Sequence, residues 1–149
     1  MPDTALAQLH PAVAQSLASW HRMIASRDLT TLPDILHPDA VFRSPMAYPP
    51  YQSATAVALV LNTVLGVFEN FAYQRELASA DGLSVVLEFS ANVGDKQLKG
   101  IDLVRFNTQG QIVEFAVMVR PLSGLQALGQ EMGKRLGHSL PAFKGNKQD

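Results

Sequence analysis

From Phe71 to Val119 hydrophobicity runs with a period of two, through four consecutive stretches: FAYQRELAS, LSVVLEFSANV, KQLKGIDLVRF and QIVEFAVMV. Such alternation turns one face of each strand toward a core and the other toward solvent. Asp81-Gly82, Gly94-Asp95 and the run Asn107 to Gly110 separate the stretches, and these are the residues that tight turns require. Four successive strands joined this tightly cannot be parallel, because a parallel crossover needs roughly a dozen residues or more. They predict an antiparallel meander.

Ahead of the meander the period is helical. From Pro11, a favoured first helical residue, Val13, Leu17, Trp20 and Ile24 fall on one face and predict a helix ending near Arg27. DLTTLPDIL carries Leu29, Leu32 and Leu36 at helical spacing, which predicts a second, shorter helix limited by Pro33 and stopped by His37-Pro38-Asp39. AVFRSP reads as a short strand ending at Pro45, and MAYPPYQ, with Pro49 and Pro50, as an irregular loop. Ser53 or Thr55 is the expected cap of a third helix running to about Phe68, with Val57, Leu61, Val64 and Phe68 as its apolar stripe. After the strands, Leu125, Leu128, Met132 and Leu136 predict a last helix behind Ser123 as its cap. Gly129 and Gly133 weaken it by roughly 1 kcal/mol each relative to Ala, so packing must hold it. Residues 1–149 show no repeat and no linker and read as one domain, of which 122–149 form a C-terminal helical extension and polar tail.

Composition narrows the chemistry. There is no cysteine, which removes disulfides, thiolate metal sites and cysteine nucleophiles together. The net charge is −1 and Lys and Arg are scattered, whereas a nucleic-acid groove needs a basic stripe. His10, His21, His37 and His138 show no ligand spacing, so they read as surface residues; neither a metal nor a cofactor is expected. The start of the chain lacks the pattern of a signal peptide, and the most apolar window, AVALVLNTVLGVF, stops well short of the ~18–20 residues of a membrane span. A soluble, cytoplasmic protein without membrane contact is expected.

Two stretches carry a family resemblance. RDLTTLPDILHPDAVFRSP and GIDLVRFNTQGQIVEF are similar to the opening segment and closing hairpin of the nuclear transport factor 2-like superfamily. That superfamily includes SnoaL-type polyketide cyclases, steroid Δ-isomerases and limonene epoxide hydrolase. The resemblance implies an α+β, cystatin-like fold, a curved antiparallel sheet wrapped around helices to make a cone with a pocket inside.

Asp102, set between Ile101 and Leu103, is the residue on which function turns. With Asp102 pointing into the cone, Val104 and Phe106 follow it inward while Ile101, Leu103 and Arg105 face out. On the neighbouring strands Val85, Leu87, Phe89 and Ala91, and then Val113, Phe115, Val117 and Val119, are the expected inner set. Aligned on the steroid isomerases, the family's protonated aspartic acid falls on Asp102, its oxyanion tyrosine on Trp20 and its base carboxylate on Ser44. A serine lacks the basic state near neutral pH that the usual isomerase base requires, so authentic steroid isomerase chemistry is not expected. Polyketide cyclases of the family work through a single acid-base aspartate.

The expected catalytic group is thus Asp102, in an apolar pocket contributed by Trp20, Phe42, Ser44, Met46, Tyr48, Leu61, Leu87, Phe89, Val104, Phe115 and Val117. The ligand would be a small hydrophobic molecule, handled by a metal-free isomerase, cyclase or hydrolase, or held by a non-catalytic binding or scaffold domain. A limonene epoxide hydrolase-like Asp-Arg-Asp network cannot be assembled, since Arg43, Arg105 and Arg120 fall on the outer face. Ile101, Leu103, Ala116 and Met118 make that face apolar enough to predict a homodimer, with coverage by the last helix as the rival.

Overall fold

A computed structural model describes residues 8–137, so His138 and the polar tail lie outside the described residues. Helix α1 (Pro11–Ser26) and one 3-10 turn (Leu32–Ile35) lead into strand β1 (Leu36–Arg43), strand β2 (Tyr51–Gln52) and helix α2 (Ala54–Val67). Strands β3 (Glu69–Ala78), β4 (Ser84–Val93), β5 (Lys96–Phe106) and β6 (Ile112–Arg120) follow, and helix α3 (Leu122–Leu136) ends the described chain. All six strands form one sheet, in the order β2-β1-β6-β5-β4-β3. Its neighbours are antiparallel except β1 and β6, which run parallel.

The alternation of the sequence is the alternation of the sheet. In β4, Val85, Leu87, Phe89, Ala91 and Val93 are buried on one face. In β5, Leu98, Gly100, Asp102, Val104 and Phe106 do the same. Helix α1 lays Val13, Leu17, Trp20 and Met23 into this concave face, and each such burial is worth roughly 1.5–3 kcal/mol. Ser16 Oγ ties α1 to the β5–β6 turn by donating to Gly110 O at 2.5 Å. Gly110 itself has φ +81°, and an added methyl would stand 2.5 Å from Ala12 O, so both backbone and space demand glycine there.

Several local expectations are corrected. DLTTLPDIL forms a 3-10 turn and no α-helix, although Leu29, Leu32 and Leu36 are buried. The Asp28 carboxylate accepts from Thr30 N at 2.9 Å and favours a turn, and Pro33 supplies no amide hydrogen to extend a helix. The first strand begins at Leu36 and not at Ala40; its pairing with β6 is interrupted between Leu36 and Val41, across Pro38. The proline loop ends in the short strand β2, where Tyr51 pairs with Phe42. Ser53 does cap α2, accepting from Ala56 N at 3.3 Å. Helix α3 starts one residue before Ser123 and is capped by Pro121 without a side-chain bond.

A bulge also reorders β6. Arg105 pairs with Glu114 but Phe106 with Ile112, so Val113 is the extra residue, and Ile112 takes the inner place expected of it. Helix α3 packs against α2 and the inner side of the sheet, where a methyl added at Gly124 would meet Leu98 Cβ at 2.8 Å. The outer face keeps its ion pairs: Arg43 and Arg105 flank Glu114, and Arg75 with Lys99 flanks Glu88. Exposed pairs of this kind add little stability.

Candidate active site

Asp102 sits at the middle of β5 between half-buried Ile101 and Leu103, and is itself only 6% exposed. Its Oδ2 accepts a hydrogen bond from Tyr73 Oη at 2.5 Å. Tyr73 Oη in turn accepts from Trp20 Nε1 at 3.0 Å. An indole on α1, a phenol on β3 and a carboxyl on β5 thereby form one chain of hydrogen bonds. Among the described residues no protein group bonds the second Asp102 oxygen.

Burial pushes the Asp102 carboxyl up to about 7, against the opposing pull of the Tyr73 bond. The Tyr73 hydroxyl is held well above its ordinary range, chiefly by burial and then by the neighbouring Asp102 charge, so it stays protonated and donates. Near neutral pH the carboxyl therefore populates both its acid and its base form, the condition for moving a proton in either direction. Beside this chain His21 Nε2 lies 2.8 Å from Glu76 Oε2, and the His21 ring meets Tyr73 edge-on at 5.5 Å. His21 is thus half-buried beside Glu76 and not the surface residue that the sequence suggested.

Asp102 borders a cavity of about 210 Å³ lined by the sheet, the segment Ser44 to Met46 and helices α1, α2 and α3. Of the residues expected from the sequence, Trp20, Phe42, Ser44, Met46, Leu61, Phe115 and Val117 line it. Leu87, Phe89 and Val104 share Asp102's face but pack wholly into the core, at most 2% exposed, and do not line the cavity. Tyr48 is 94% exposed. The short β2 pairing anchors Tyr51 instead, and that tyrosine faces the cavity. Ser44 Oγ is engaged locally, accepting from Met46 N at 2.9 Å.

Among the lining residues not expected from the sequence, which include Ile24, Val64, Phe68 and Phe71, Tyr73 and the face of α3 matter most. Tyr73 escaped because its reach to Asp102 spans the intervening strand β4: Tyr73 pairs with Phe89, and Phe89 with Gly100, two residues from Asp102. The alternation of Phe71 and Tyr73 with polar neighbours was the available signal. Helix α3 contributes Leu128, Gly129 and Met132 to the wall; its apolar stripe was visible, but not the face it would cover. Among the described residues no three histidine or acidic side chains gather where they could hold a metal ion.

Comparison with known proteins agrees with this architecture. A steroid delta-isomerase from Pseudomonas aeruginosa is 66% identical, with a TM-score of 0.85 over 87% of this chain and 94% of that one. An uncharacterised cystatin-like protein from Silicibacter pomeroyi DSS-3 is 30% identical, with a TM-score of 0.78 over 89% of each chain. The epoxide hydrolase/cyclase-like enzyme SalBIII, which acts in pyran ring formation in salinomycin, shares the fold at 15% identity and a TM-score of 0.60, over 72% of this chain and 90% of that one. No curated protein matches. The SnoaL-like domain family matches residues 17–115, from the core of α1 to Phe115 at the cavity, and the chain belongs to that family.

Proposed function

We propose that this protein binds a small hydrophobic molecule in the cone and moves a proton on it with Asp102, in an isomerase- or cyclase-type reaction without a metal. One observation carries the reading: the carboxyl raised to about 7 at the wall of an apolar cavity, held by a phenol that stays protonated. As carboxylate, Asp102 takes a proton from a carbon next to a carbonyl, and the electron pair passes into the enolate. As carboxylic acid, it returns the same proton to another carbon of the conjugated system, so the product is an isomer and the carboxylate is regenerated. Tyr73 and Trp20 hold the carboxyl in place throughout.

The Pseudomonas protein bears the name steroid delta-isomerase. Among the described lining residues Asp102 is the only carboxylate, and Ser44, at the position of the usual base, is tied to its own loop. The same observation favours a second reading, a binding domain in which Asp102 orients a ligand without turnover.

Ultraviolet detection of conjugation, with a series of cyclic β,γ-unsaturated ketones, separates the two readings. Turnover that Asp102→Asn lowers by about 10²-fold or more supports catalysis. Saturable binding without turnover supports the second reading, and neither binding nor turnover contradicts both. A β,γ-unsaturated 3-ketosteroid is expected not to react; turnover abolished by Ser44→Ala would overturn the assignment of Ser44.

A further inference from the structure

Part of the cavity wall is built by residues beyond the family match. Gly129, Met132 and Gly133 of α3 stand there, outside residues 17–115, opposite Met46 on the proline loop. The Met46 side chain lies directly on Gly129: a methyl group added to that glycine would stand 2.4 Å from Met46 Cε and 2.9 Å from its Sδ. Its backbone is pinned from one side by the Ser44 bond and follows Pro45, whose ring fixes φ. Met46 as a residue is nonetheless 52% exposed, so it stands at the boundary between cavity and solvent and is not a core residue.

We propose that Met46, seated on Gly129, sets the size of the ligand, and that the cavity so narrowed selects a compact ketone of one or two rings. The inference rests on the reading that the cavity holds a carbonyl compound beside Asp102. A cavity of about 150 Å³ accepts benzene, so about 210 Å³ accommodates on the order of eight to ten carbon atoms. A fused pair of six-membered rings fits that volume, and a four-ring nucleus does not. Without that narrowing the larger ketone would bind more tightly, because it buries more apolar area; a preference for the smaller one is therefore the signature of a size limit.

Trp20 supplies the readout, being the only tryptophan of the chain and a lining residue. Quenching of its emission is titrated with a decalin ketone and with a saturated androstane ketone, in the wild type, Met46→Ala and Met46→Leu. The wild type and Met46→Leu are expected to bind the decalin ketone about tenfold or more tightly than the androstane ketone. Met46→Ala is expected to shift the ratio of the two affinities about tenfold or more toward the androstane ketone. Equal wild-type affinities, or an unchanged ratio in Met46→Ala, would overturn the size limit and leave the cavity reading standing. Failure of both ketones to bind all three proteins would overturn both.

Discussion

At the scale of single residues, the central group is Asp102, whose carboxyl is raised to about 7 from about 3.9 in an unfolded chain. The folded state keeps a proton that the unfolded state releases, so this residue's contribution is fully present below pH ~4. Stability should fall as pH climbs from about 4 through about 7 and level off above, by an amount on the order of 4 kcal/mol. Asp28, Asp81 and Glu88, held below their ordinary values by hydrogen bonds, work in the opposite sense as pH falls, but they are exposed. Comparing wild type with Asp102→Asn in urea denaturation from pH 4 to 8 isolates the buried group: the variant should lack the decline and be the more stable protein above pH 7. Tyr73→Phe should raise the Asp102 value further, because the lost bond favoured the ionised form. It also strands the Trp20 indole N–H, and denaturation should register a loss of about 1–3 kcal/mol. Asp102 was legible because strand parity needs no knowledge of neighbours. Tyr73 was not, because its role depends on which strand lies two places away in the sheet.

At the scale of elements, what could be read was whatever depends on period and turn chemistry. The four long strands, α1, the cap of α2 and the apolar face of α3 all follow from local pattern. The early start of β1 and the Val113 bulge do not, because pairing with β6 decides them; the 3-10 turn has local causes in Asp28 and Pro33 that the leucine spacing masked. Gly100 of β5 shows how tightly that pairing is built. A methyl there would stand 2.4 Å from Met118 O and 2.6 Å from Phe89 Cζ, on the strand that carries Asp102. Gly100→Ala is therefore expected to cost about 1–3 kcal/mol in denaturant unfolding by overpacking. A variant as stable as the wild type would show that Phe89 can retreat without loss.

At the scale of the whole molecule, no described element covers the outer face of the sheet, because α3 packs on the inner side. Leu77, Val86, Leu103 and Ala116 stand in register from β3 to β6, with Ile101 beside a half-exposed Met118. The expected state is a homodimer through this stripe, bordered by the Glu88 and Glu114 ion pairs. Sedimentation at micromolar concentration should find twice the chain mass, and Met118→Glu should return the monomer; a monomeric wild type would leave the stripe without a partner. The cone itself was legible from the order of its elements, whereas the meeting of Met46 with α3 at the cavity wall emerged only when remote segments were brought together. Asp102 is only 6% exposed, and carboxyl-carbon NMR titration of that residue measures the consequence of its burial directly. A midpoint near 7 is expected, and a midpoint at or below about 3.9 would mean a solvated or ion-paired carboxylate and would contradict an acid-base role in the cavity.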